Sequence, residues 1–257
     1  MTCAPNRLIR RTLFGLGIIC AASLLGPIDT ASAEAPKKLT LYTASFPGFA
    51  GAEEPNPGIL VELARIAGEK TGYSIEQKVV PWARAIKLAR TEKNALISGF
   101  TRLESREHNF AWIVRQLTLK NAFISLDRAV NSYEDARKLS AIGVHRATSY
   151  EVELEERGFE NIRSFSNPDR IIKFFDGGRI DAWFGSIHEF TKRLEGISPA
   201  QRKRIVIGKP VPTEELWLAG PKHLSPKVIE DLNYGTRWAI EQGHRDRLMK
   251  KYFGDLR

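Results

Sequence analysis

The chain has 257 residues, 39 Lys+Arg against 30 Asp+Glu, a formal charge of +9 and 42% hydrophobic residues, enough apolar material for one or two ordinary cores. Its only cysteines, Cys3 and Cys20, fall in the first twenty residues. That excludes a disulfide framework, a thiolate metal site and a cysteine nucleophile from the rest of the chain.

Residues 1–33 read as a secretory signal peptide. Arg7, Arg10 and Arg11 precede an apolar stretch from Leu13 to Leu25, and Ala31-Ser32-Ala33 supplies a small-residue cleavage site. About 13 apolar residues fall short of the roughly 20 that a spanning helix needs. Arg10-Arg11 leaves open whether export is general secretory or twin-arginine. The expected location is the periplasm. The basic surplus survives removal of the signal, but the cations are interleaved with acids, as a solvated surface has them, and no nucleic acid is expected as a partner.

The first strand is expected over Leu39 to Thr43. After a Pro/Gly-rich loop, Ile59, Leu60, Leu63, Ile66 and Ala67 recur at helical spacing until Gly72. Ser74 to Val80 reads as a strand, Pro81 to Arg90 as a helix and Ala95 to Ser98 as a third strand. This βαβαβ order implies a parallel sheet covered by helices. A second cycle follows: strand Leu139 to Val144, then a helix opening on Thr148 with Glu151 at capping-box spacing. Asn167 and Pro168 then begin a helix that Gly177-Gly178 ends, before a buried strand from Ile180 to Phe184. The C-terminal part carries a strand-like "ELWLAG" and a helix from Ser225-Pro226. Two α/β units suggest two lobes with a cleft between them.

Ligands of open α/β sheets sit beyond the carboxyl ends of strands. Thr101, Arg102 and Arg106 follow one such end, and Thr148-Ser149 another at a helix start, where free N–H groups favour an anion. An arginine fork there would hold a carboxylate or phosphate. Equally, Arg102 and Arg106 could pair with Glu104 and Glu107 while Thr148 merely caps its helix; spacing alone leaves both readings open. The five histidines show no paired metal-ligand spacing, and no glycine-flanked serine elbow or phosphate loop is present. No cofactor is expected.

Four segments in order, "ISGFTRLESREHNFAWI", "IGVHRATSYEVELEERGF", "FFDGGRIDAWFGS" and "GHRDRLMKKYFGD", resemble the signature runs of the bacterial extracellular solute-binding proteins, family 3, from Leu39 to Asp255. "VVPWARAIKLA" further resembles a subgroup carrying PWxRA. The resemblance implies a type II periplasmic binding protein fold, α/β, with two lobes of mostly parallel sheet joined by two hinge strands. Lobe I would take residues 34–118 plus 209–257, and lobe II residues 119–208. It implies a monomer that captures a small carboxylate-bearing solute by hinge closure and delivers it to an ABC importer permease.

Carried over residue by residue, the resemblance makes Arg106 the carboxylate ligand, with Thr101 and backbone from Gly99. Ser149 and Thr148 complete that site, and Phe46 and Trp82 sandwich the ligand side chain. Arg84 is expected to pair with Glu92, and Arg102 to face solvent. Where family members binding α-amino acids have an ammonium-binding aspartate, this chain has Ser186. A neutral hydroxyl does not offset a buried ammonium. The expected ligand is therefore a carboxylate or compact anion, unless Glu189 or Glu62 reaches in. Two other classes stay open: a cyclohexadienyl dehydratase-type enzyme, with His188 or Glu189 as general acid, and a sensory module for a membrane receptor.

Overall fold

The computed structural model describes residues 37–52, 54–167, 173–175, 177–194 and 198–254. The signal-peptide reading and the helix start at Pro168 lie outside these residues. In chain order the elements begin with β1 (Lys37–Thr43), α1 (Ile59–Lys70), β2 (Tyr73–Val79), α2 (Trp82–Thr91), β3 (Ala95–Thr101) and α3 (Glu104–Glu107). The long β4 (Phe110–Leu126) leads to α4 (Tyr133–Arg137), β5 (Ile142–His145), α5 (Ser149–Glu156) and β6 (Ile162–Phe165). Then come β7 (Ala182–Ser186), α6 (Ile187–Arg193), α7 (Pro199–Arg202), β8 (Ile205–Ile207), β9 (Val211–Pro221), α8 (Pro226–Glu241) and α9 (His244–Phe253).

One nine-stranded sheet runs β2-β1-β3-β9-β4-β7-β5-β6, with β8 on β4. The pairs β1–β2, β1–β3, β5–β6 and β5–β7 are parallel, as successive βα units dictate. The pairs made by β4 and β9 are antiparallel. The chain is thus mixed α/β, with parallel portions joined by two long central strands.

Local chemistry explains most boundaries. In α1 the buried face Leu60, Leu63, Ala64 and Ala67 follows the helical period, and it packs on β2 and α8. Full burial of a side chain such as Leu63 contributes about 1.5–3 kcal/mol. Pro81, expected as the first helical residue, stands instead at the N-cap, one residue before α2. The strand expected from Leu139 starts instead at Ile142. The Asp181 carboxylate accepts from the N–H groups of Ser140 (2.6 Å) and Ala141 (3.0 Å), which takes that backbone out of the ladder.

The capping box expected at Thr148 is not formed. Thr148 Oγ1 donates to the His145 carbonyl (2.6 Å) instead of capping, and Glu151 accepts from Ala147 N–H (2.5 Å) and from Ser164 Oγ. Ala147 lies at φ 62°, so the turn delivers the N–H of Ala147, not that of Thr148, to the glutamate.

Among the described residues the core falls into separate clusters. Three draw their buried members from residues 39–119 and 216–253. Two draw theirs from residues 123–190. The strands β4 and β9 run between these regions, and β4 pairs with β9 from Phe110 to Asn121 and with β7 and β8 from Asn121 to Leu126.

Candidate functional site

A cavity lies where the end of β3, the start of α2 and the loop after β1 meet the start of α5 and the first turn of α6. All the residues proposed from the sequence except Ser186 line it: Phe46, Trp82, Gly99, Thr101, Arg106, Thr148 and Ser149. Ser186 is buried at the end of β7, and its Oγ accepts from Glu189 N–H (3.4 Å) as the cap of α6.

Each lining residue arrives there for a local reason. Gly99 has φ +71°, and a Cβ on it would stand 2.8 Å from Leu60 Cδ1, so a side chain would both strain the strand end and crowd the cavity wall. Thr101 closes β3, and the turn after it folds back so that Arg106 Nη1 donates to the Thr101 carbonyl (2.9 Å). Arg106 Nη2 donates to the Ala147 carbonyl (3.3 Å), and the guanidinium lies 4.3 Å from the Phe100 ring centre. Those two bonds use two of its five N–H donors. Burial lowers its pKa to about 10, and the nearby Glu214 acts in the opposite direction.

Phe46 and Trp82 do not flank an open slot. Their ring centres are 5.3 Å apart at 87°, an edge-to-face contact, so they form one continuous wall. Phe49, Leu60, Leu119 and Leu216 extend the apolar lining.

Two carboxylates complete the cavity. Glu189, on the first turn of α6, is buried and accepts from Arg193 Nε (3.1 Å) and Nη2 (2.7 Å), both on Oε1. Glu214, on β9, had not been anticipated. Its Oε1 accepts from Thr101 Oγ1 and Ser149 Oγ, and its Oε2 lies 3.4 Å from Asn121 Nδ2. The Tyr150 side chain neighbours Glu214. Burial raises the Glu214 pKa while these donors pull it back, and burial beside Glu214 raises Tyr150 well above the usual phenol range. A signal for Glu214 was present in the sequence: it shares the period-two face of Leu216 and Leu218, which are buried.

The remaining candidates lie outside the cavity lining. Arg102 pairs with Glu107 through Nε (2.6 Å) and Nη2 (3.0 Å) over Trp112 and Trp217, half exposed as expected. Arg84 is exposed on α2, and Glu92 accepts from Tyr42. Glu62 is taken by Lys251 (2.7 Å) and Tyr252. His188 packs edge-on against Phe253, with ring centres 5.4 Å apart. Chemically the cavity offers a donor fork with free N–H groups, two acids and an apolar wall, a set suited to a compact molecule carrying both an anionic and a cationic group.

The chain is 24% identical over 242 residues to an arginine-binding periplasmic protein of Mannheimia haemolytica, covering 90% of this chain and 96% of that one. A histidine kinase sensor domain resembling periplasmic binding proteins superposes with a TM-score of 0.76 at 14% identity, covering 86% of this chain and 97% of that one. An ancestral arginine-binding protein bound to arginine superposes with a TM-score of 0.75 at 19% identity, covering 86% and 100%. These likenesses establish the type II periplasmic binding protein fold. A family model matches residues 42–255, and with that match the chain belongs to the bacterial extracellular solute-binding proteins, family 3.

Proposed function

We propose that this protein is a periplasmic binding protein for an α-amino acid, which it holds in the cavity by hinge closure and hands to the permease of an ABC importer. Arg106 receives the α-carboxylate, Glu189 the ammonium group, and the Phe46/Trp82 wall the side chain. The observation that carries this reading is that Glu189 lines the same cavity as Arg106. Ser186 offers no charge to offset an ammonium group, but an acid stands three residues later, carried inward by the first turn of α6.

Division of the core into clusters on either side of β4 and β9 supports lobes of residues 34–118 plus 209–257 and 119–208, with those two strands as hinges. Closure is favoured by contacts made only in the closed state, here those of a ligand touching both Arg106 and Glu189. Export to the periplasm rests on the N-terminal sequence, and the arginine-binding relative makes L-arginine the first probe.

A thermal-shift panel tests the reading: the standard amino acids, the corresponding acids lacking the amino group, dicarboxylates and prephenate. A ligand at 100 times its Kd adds about 2.7 kcal/mol of stability. Amino acids should shift the melt, and Glu189→Gln should abolish those shifts. Deaminated acids binding as well as their amino acids would refute the role of Glu189. Turnover of prephenate would replace the binding-protein reading with an enzymatic one, for which Glu189, one of the two acids in the cavity, is the candidate general acid.

A further inference from the structure

The roles carried to Thr101 and Ser149 conflict with what these hydroxyls do in the structure. Each has one hydrogen to give. Glu214 Oε1 accepts from both, while Thr101 Oγ1 and Ser149 Oγ stand 3.1 Å apart. A carboxylate of the protein thus occupies the hydroxyl pair that a ligand carboxylate would use, bridging the end of β3 to the start of α5. Asn121 reaches it and Tyr150 neighbours it, so it is tightly held and 6% exposed.

Charge counting then bears on the ligand. Formal charges in the cavity are Arg106 against Glu214, and Glu189 against its partner Arg193, which sum to zero. On the outer side of Glu214, Arg102 is paired with Glu107 and Arg157 with Glu153, leaving Glu156 as a further acid beside Glu215, which is itself paired with Arg115. A zwitterion keeps the cavity neutral. A ligand with a second carboxylate introduces an anion with no free cation among the lining residues, in a desolvated site where like charges repel strongly.

We infer that Glu214 is a specificity-determining residue that excludes dicarboxylate ligands and reserves the cleft for amino acids with neutral or cationic side chains. The inference rests on the reading of the cavity as an amino-acid site.

L-glutamine and L-glutamate make the test, since they share shape and differ in one charge. Their Kd values are measured by isothermal titration calorimetry at pH 8 for the wild-type protein, Glu214→Gln and Glu214→Asp. Melting curves followed by circular dichroism establish that each variant is folded. In the wild type, glutamate should bind at least about tenfold more weakly than glutamine. Glu214→Gln should shrink that ratio by about tenfold or more, and Glu214→Asp, which keeps the charge, should preserve it. Glutamate binding the wild type as tightly as glutamine would overturn the inference, as would an unchanged ratio in Glu214→Gln or a lost ratio in Glu214→Asp. If neither ligand binds, L-arginine is titrated into the same three proteins. Arginine binding that weakens about tenfold in Glu214→Gln but not in Glu214→Asp supports the charge role, and arginine binding insensitive to Glu214→Gln refutes it. Failure of all three in titration, together with no melting shift from any standard amino acid, would refute the amino-acid reading itself and this inference with it.

Discussion

Replacing Arg106 with methionine separates binding from folding. In the unliganded protein the change orphans the Thr101 and Ala147 carbonyls, at about 1 kcal/mol each. It also removes the stacking of the guanidinium on Phe100, worth about 0.5–2 kcal/mol. Against these losses stands relief from burying a cation, the same burial that lowers the Arg106 pKa. Methionine retains much of the apolar stem and fills the space. The terms offset, and the fold should lose less than about 2 kcal/mol. A ligand carboxylate held by two guanidinium N–H groups loses two charge-assisted bonds at about 1.5–3 kcal/mol each. Affinity should therefore fall by a factor of about 10² to 10⁴. Urea unfolding gives the first quantity and calorimetric titration with L-arginine the second. A folded variant whose affinity falls less than tenfold would refute the assignment of Arg106 as the carboxylate anchor.

Gly235→Ala places a Cβ 2.4 Å from the Ala67 carbonyl oxygen, forcing α8 away from α1, and should cost about 1–3 kcal/mol despite the better helix propensity of alanine; an unchanged urea midpoint would contradict the close packing. Stability should fall on acidification below pH 6.5. His145 and His188 both have lowered pKa values, chiefly through burial, so the unfolded state takes up protons first. Their contribution is complete above the unfolded value near 6.5 and is lost as the pH falls through the folded values. Unfolding free energies compared at pH 8 and pH 5.5 for the wild type and His145→Gln check this, the variant showing the smaller drop.

Much of the fold was legible because it is written in short-range chemistry. The helical spacing of Ile59, Leu60 and Leu63 and the run Ala95-Leu96-Ile97 encode β-α-β units whose parallel pairing follows from their order. The long strand β4 was less legible. Its pairing with β9 shifts register three times, so its apolar residues do not alternate cleanly over 17 residues.

The sequence by itself determined the αβ units, the family pattern and, for Thr101, Arg106 and Thr148-Ser149, a place at a strand end or helix start where ligands of such sheets sit, while Phe46, Trp82 and Gly99 came from the family resemblance. Only the tertiary structure decided which acids face them. Glu214 meets Thr101 across 113 residues and Ser149 across 65, a closeness set by β9 crossing beside β3 and β4. Glu189 enters the cavity because α6 starts on the Ser186 cap and turns its first turn inward. Phe46 and Trp82 became one wall because the loop after β1 and the start of α2 pack directly together. Local sequence specifies which groups exist at a strand end; the charge balance of the cavity depends on contacts between segments far apart in the chain, and those form only when the sheet is assembled.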